Sequence, residues 1–150
     1  MAKVVTFGEI MLRLSPEGYL RFGQTDRYNA TFGGAEANVA VSLANYGIDA
    51  DFVSKLPKNP IADSCVRELK KYSVGTDNII RGGDRVGIYY LEKGASQRAS
   101  QVVYDRAYSA ISQSSLDEYD WKKILSGANW FHFTGITPAL SDNMSKACIE

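Results

Sequence analysis

The sequence predicts an α/β protein: a parallel sheet flanked by helices, with a small antiparallel sheet at its edge. Three observations predict it. Strand and helix patterns alternate over residues 3–72, as they do when βα units build a parallel sheet. Three strand patterns then follow one another between residues 76 and 106 with no helix between them. Finally, Gly33-Gly34 ends an extended run and opens a helix. The missing Cβ atoms let a ligand approach the backbone there, and the helix start presents unpaired N–H groups.

Composition excludes several classes of function. The chain has 150 residues, 45% hydrophobic and 23% charged, which suits one globular domain with a real core. The net charge is +0, and basic residues gather only in pairs such as Lys70-Lys71 and Lys122-Lys123. A nucleic-acid or anionic-membrane partner is therefore not expected. No apolar run approaches a membrane span. Met1–Glu9 enters a strand pattern directly, so no signal peptide is expected. Cys65 and Cys148 lie far apart and His132 is the one histidine, so neither a disulfide framework nor a metal site is expected, and the cytoplasm is the default location. Asn29-Ala30-Thr31 and Asn143-Met144-Ser145 match the glycosylation pattern; without a secretion signal they read as chance.

Residues 3–7 read as a buried strand ending at Gly8. In the next stretch Glu9, Met11 and Arg13 alternate with Ile10, Leu12 and Leu14. The charged face points to solvent, or borders the ligand crevice if the stretch follows a central strand. Ser15–Gly18 is a turn, and residues 19–32 are irregular or edge-like. Ala35–Tyr46 is a helix, with Ala35, Val39, Leu43 and Tyr46 along one side and Gly47 as its stop. A strand at Asp51–Lys55, a rigid loop at Pro57–Pro60 and a helix at Ile61–Tyr72 follow.

Thr76–Arg81, Arg85–Glu92 and Gln101–Arg106 are the strands assigned to the small sheet. In the last, Val102, Tyr104 and Arg106 share a face. With Tyr89 nearby, this face suits a ligand that has a carbon face and a carboxylate, or is an ordinary exposed sheet surface. The Gly33-Gly34 step has the same two readings: a cradle with Asn38 one helical turn in, or a tight turn. Ser112–Leu125 is helical in two short pieces. Asn129–Gly135 is a buried strand, with His132 as a packed core residue. Ser141 and Asp142 can cap a last helix, Asp142–Glu150, which has no closing glycine. That ending points to an incomplete chain.

These residues together resemble the N-terminal half of a ribokinase-like (PfkB-type) carbohydrate kinase. The resemblance is carried by Phe7-Gly8-Glu9, by Gly33-Gly34-Ala35-Glu36-Ala37-Asn38-Val39-Ala40 with Gly47, and by the two-part small sheet. The chain is similar above all to 2-keto-3-deoxygluconate kinases. Val102–Arg106, Val86–Tyr90, Leu56–Ile61 and Phe131–Leu140 carry that likeness.

The resemblance implies a three-layer α/β/α fold with an antiparallel lid at about residues 13–32 and 76–106. It implies phosphorylation of a sugar hydroxyl with ATP and Mg2+, in the cytoplasm. Residues matching Gly34, Tyr89, Tyr104, Arg106 and Ile136 contact the substrate, Gly33 and Asn38 belong to the sugar-site signature, and Arg106 pairs with a carboxylate. Arg13 stands where kinases of neutral sugars have an aspartate, so it is a further candidate for an acidic substrate. The family's catalytic aspartate, in a Gly-Ala-Gly-Asp motif, has no counterpart here, and neither do its ATP-binding segments; no catalytic residue is assigned in this chain. Gly82-Gly83-Asp84 and Lys93-Gly94-Ala95 are not P-loops. Two copies are expected to meet through the lid. A kinase of a neutral sugar and a non-catalytic sugar-binding module are the alternatives. A dinucleotide-binding dehydrogenase is disfavoured, because the first strand ends without a Gly-x-Gly-x-x-Gly turn.

Overall fold

A computed structural model describes residues 2–149. The strands and helices run β1 (Lys3–Phe7), β2 (Met11–Pro16), β3 (Tyr28–Gly33), α1 (Ala35–Asn45), β4 (Asp49–Leu56), α2 (Pro60–Lys71) and β5 (Ile79–Arg81). They continue with β6 (Ile88–Glu92), β7 (Gln101–Asp105), α3 (Trp121–Ile124), β8 (Trp130–His132) and α4 (Asp142–Ile149). Single 3-10 turns lie at Phe22–Gln24, Leu116–Glu118 and Pro138–Leu140.

One sheet has the order β5-β4-β1-β8 with every pair parallel. Its central strands are apolar on both faces, because helices cover both. On one side Ala37, Ala40, Ala62, Cys65 and Leu69 of α1 and α2 pack on Ala50, Phe52 and Leu56. On the other, Val5, Phe7 and Val53 meet Ile111, Tyr119, Ile124 and Met144. Phe7 is gripped edge-on by Tyr119 and Trp121, with ring centroids 5.3 and 5.0 Å away. Gly47 (φ +77°) ends α1 in the left-handed region, as expected from sequence. The Asn59 side chain caps α2 by accepting from Ala62 N at 2.9 Å, and Ser141 Oγ accepts from Met144 N at 3.3 Å at the start of α4.

The second sheet has the order β3-β2-β6-β7. It is mixed, which corrects the antiparallel lid expected from sequence. β2/β3 and β6/β7 are antiparallel, but β2/β6 is parallel, with Leu12 opposite Ile88. Both strands leave the main sheet in the same direction, and the long crossover between them permits the parallel pair.

A second correction concerns residues 76–81. They do not belong to the lid: Ile79–Arg81 is the edge strand of the main sheet, with Ile79 opposite Ser54. The segment follows α2, so β4–α2–β5 closes an ordinary parallel crossover, and Val74 and Ile79 bury in the main core.

Three smaller corrections follow from the sheet edges. Ser15 and Pro16 continue β2 and pair with Asn29 and Tyr28, so the turn begins later than expected. The segment 112–115 is not helical; the two short pieces begin at Leu116 and Trp121. The expected buried strand at 129–135 is a three-residue edge strand, with Trp130 67% exposed and His132 only partly buried. Glu150, the expected end of the last helix, lies outside the described residues. Among the described residues no helix is long and apolar enough to cross a membrane.

Candidate functional site

The site forms where the lid folds back over the carboxyl end of the main sheet. β1 ends at Phe7, and the chain turns outward through Gly8, Glu9 and Ile10 into β2. β3 returns to the same place and ends at Gly33, and Gly34 stands immediately before α1. Gly34 is in close contact with the turn: a Cβ there would lie 2.0 Å from the Glu9 carbonyl oxygen. Any side chain would push the two segments apart.

The lid contributes one face. Pairing across its four strands sets Thr31, Arg13, Tyr89 and Tyr104 side by side in one row. The Tyr89 and Tyr104 rings are 6.0 Å apart between centroids. The Tyr89 hydroxyl comes over Gly33, 3.0 Å from where a Cβ would stand. One residue beyond β7, the Arg106 guanidinium carbon lies 5.7 Å from the Tyr104 ring centroid, within cation–π range. Arg106 donates through Nε to Glu9 Oε2 at 2.8 Å, and its Nη2 makes a second bond to the same oxygen.

The third wall is the loop after β8, which carries Ile136. The loop is held by Glu36, a buried carboxylate in the first turn of α1. Glu36 Oε1 accepts from Thr134 N at 2.9 Å, Thr134 Oγ1 at 2.7 Å and Thr137 Oγ1 at 2.8 Å. Three donors and the positive end of α1 hold a buried charge that has no cation partner among these bonds.

Gly33, Gly34, Asn38, Tyr89, Tyr104, Arg106 and Ile136 all line one cavity of about 180 Å³, together with Glu9, Met11, Ala35 and Glu36. Every firm candidate from the sequence is thus brought together. Arg13 is not in this wall. Its Nε donates to Thr31 Oγ1 at 2.8 Å, and it lines an adjoining hollow that shares only Asn38 with the cavity. Glu9 and Glu36 were not singled out from sequence. The available signals were the alternation that puts Glu9 on the Arg13 face and the acidic residue in the first turn of a glycine-led helix.

The cavity offers a guanidinium, two tyrosine rings with hydroxyls, an amide and a helix entrance. That set suits a small hydroxylated molecule with one carboxylate. A Cβ on Gly83 would meet Ala110 at 2.8 Å and one on Gly94 would meet the Arg98 carbonyl oxygen at 2.3 Å, so both glycines serve chain packing. Among the described residues no three His, Cys, Asp or Glu side chains gather to hold a metal.

A family model described as pfkB family carbohydrate kinase matches residues 1–150. The chain belongs to this family. Within it, the chain is 39% identical to a 2-dehydro-3-deoxygalactonokinase of Haloferax volcanii, over 99% of this chain and 46% of that protein. It is 33% identical to a 2-dehydro-3-deoxygluconokinase of Bacillus subtilis, over 93% of this chain and 43% of that protein. The crystal structure of a 2-dehydro-3-deoxygluconokinase from Thermotoga maritima superposes with a TM-score of 0.97 at 59% identity, covering 99% of this chain and 45% of that one. The chain thus spans about half the length of these pfkB relatives, and it shares their ribokinase-like fold over that half.

Proposed function

We propose that this chain supplies the sugar-holding half of a cytoplasmic kinase. The kinase uses ATP and Mg2+ to phosphorylate 2-keto-3-deoxygluconate to 2-keto-3-deoxy-6-phosphogluconate. One observation carries the reading: Arg106 enters the same cavity as Tyr89, Tyr104, Asn38 and the Gly33-Gly34 step. The guanidinium receives the sugar acid's carboxylate as a two-pronged donor. The rings pack on its carbon face, and Asn38 and the tyrosine hydroxyls take its hydroxyl groups. The names of the Haloferax, Bacillus and Thermotoga relatives support a 2-keto-3-deoxy sugar acid over a neutral sugar. Arg13, in the lid row beside Tyr89, is assigned an outer role at the rim.

In such a transfer a sugar hydroxyl attacks the terminal phosphoryl group of ATP and gives its proton to a base. The residues of this chain bind the sugar, orient it and exclude water from one side. We assign the base and the nucleotide site to the part of the relatives that this chain does not span. Two copies are proposed to meet through the lid, whose Val102 and Val103 are exposed. Val103→Asp should then shift the mass in solution to that of a single copy.

The test is a substrate panel on the intact protein: 2-keto-3-deoxygluconate, its galactonate epimer, fructose and ribose, each with ATP and Mg2+. The expected kcat/KM for the sugar acids exceeds that for the neutral sugars by at least about 100-fold, and Arg106→Ala removes that margin. Equal turnover of fructose or ribose would sink the reading.

A further inference from the structure

We propose that Glu9 is the positioning residue of Arg106, holding one edge of the guanidinium so that the other faces the ligand. The proposal rests on the reading of Arg106 as the receptor of the substrate carboxylate, and adds the residue that makes that receptor specific.

The pairing between the two side chains is lopsided. Glu9 is 4% exposed. Both bonds from Arg106, through Nε and Nη2, go to Oε2. The other oxygen, Oε1, is buried and has no hydrogen-bond partner. A relaxed ion pair would place two parallel bonds on two oxygens. A buried unpaired carboxylate oxygen is costly, and such atoms call for an explanation.

Geometry supplies the explanation. A guanidinium has five N–H groups. Glu9 occupies the Nε and Nη2 edge, which leaves Nη1 and the second Nη2 hydrogen as a fork for an incoming carboxylate. Glu9 itself has little freedom. Its carbonyl oxygen packs against Gly34, and a Cβ on Gly87 would sit 2.6 Å from Oε1. The anchor therefore joins three parts of the site: the turn after β1, the glycine before α1 and the end of β7. The Tyr104 ring lies along the same guanidinium. Arg106 is thus fixed before a ligand arrives, and a pre-oriented receptor loses less side-chain freedom on binding.

The lopsided pairing makes the two conservative substitutions opposite in effect. Glu9→Gln keeps length and an acceptor for Arg106, and the amide nitrogen falls where Oε1 accepts nothing. Glu9→Asp keeps the charge but pulls the carboxylate back by one methylene. If orientation is the role, Gln preserves it and Asp destroys it.

The test uses the intact protein, with binding measured by calorimetry and melting followed for each variant. The ligands are 2-keto-3-deoxygluconate and 3-deoxyfructose, which carries a hydroxymethyl group in place of the carboxylate. Expected is an affinity of Glu9→Gln for the acid within about threefold of wild type and a loss of about tenfold or more in Glu9→Asp, with 3-deoxyfructose unchanged in both. Acid binding by Glu9→Asp at the wild-type level overturns the proposal. So does a loss in Glu9→Gln as large as that in Glu9→Asp, or an equal loss of both sugars, which would mark a merely structural role. Wild-type protein that binds neither sugar overturns the kinase reading itself; binding of the acid with no split between the two variants overturns only the role of Glu9.

Discussion

Glu36 and Thr137 are 101 residues apart in the chain, yet the Thr137 hydroxyl donates to the Glu36 carboxylate at 2.8 Å in a fully buried contact. That bond and the two from Thr134 tie the loop carrying Ile136 to the start of the helix that carries Asn38. Glu36→Ala would remove the acceptor of the two part-buried Thr134 donors and leave Thr137 Oγ1 only the Phe7 carbonyl oxygen, at 3.4 Å. The expected cost is about 2 kcal/mol, since a buried unpaired donor costs on the order of 1 kcal/mol and the part-buried Thr134 groups are within reach of water. Urea unfolding of the intact protein measures it; a loss of under about 1 kcal/mol would mean that water replaces the carboxylate.

Gly34→Ala tests the contact between the helix entrance and the turn after β1. The added methyl would meet a backbone oxygen at 2.0 Å, which cannot move aside as a flexible side chain can. Overpacking of this kind costs about 1–3 kcal/mol. The variant should melt lower and lose affinity for the proposed sugar-acid ligand by about tenfold or more, measured by thermal melting and calorimetry. Wild-type values in both would show that the turn yields freely.

Arg13 and Arg106 are expected to differ. Arg13 is spent on Thr31 and stands outside the cavity wall. Arg13→Ala should raise KM for the acid by about threefold with kcat unchanged, against about 100-fold in kcat/KM for Arg106→Ala. A larger effect at Arg13 would move the carboxylate towards the adjoining hollow that Arg13 lines.

Alkaline pH should weaken the fold through groups that burial keeps protonated. Burial pushes the Cys65 thiol up to about 12 from its ordinary 9.0, and raises the Tyr119 hydroxyl too. The folded protein then keeps protons that the unfolded chain releases. This contribution is fully present below pH 9 and is lost as the pH climbs towards 12. The slope from Cys65 is at most about 1.4 kcal/mol per pH unit. Urea unfolding at pH 8, 9 and 10 measures it, and Cys65→Ser should flatten the slope at pH 9–10. An unchanged slope in that variant assigns the loss to other groups.

What sequence could and could not reveal divides by the distance over which the information acts. The Gly33-Gly34 step and the Tyr104/Arg106 face are local patterns of period 1 and 2, and both appear in the structure as expected. The helix α1 also forms, but it buries Glu36, Ala37 and Ala40 rather than the expected stripe of Ala35, Val39, Leu43 and Tyr46, and Tyr46 is 81% exposed. Glu9 and Glu36 act on partners 97 and 98–101 positions away, which no local pattern encodes. Residues 76–81 failed for a related reason. A short β-branched run looks the same at the edge of the main sheet or in the lid; α2 and the partner Ser54–Leu56 decide between them. The parallel β2/β6 pair was hidden in the same way, because strand direction follows from the crossover and not from composition.

That pair also has a consequence for the order of assembly. Leu12 and Ile88 belong to the two middle strands of the lid, and β3, α1, β4, α2 and β5 all lie between them in the chain. Closing so long a loop is entropically costly and slow unless the intervening units have already collapsed. The β1, β4 and β5 part of the main sheet is therefore expected to form before the wall of tyrosines, while β8, whose pairing of Trp130 with Val4 closes a longer loop still, joins no earlier. Pulse-labelled refolding should show amide protection in β1 and β4 before β6 and β7; simultaneous protection would deny that order. A sugar that binds only the finished cavity then acts on the final folding step alone: it slows the release of the lid and leaves the earlier collapse at its own pace.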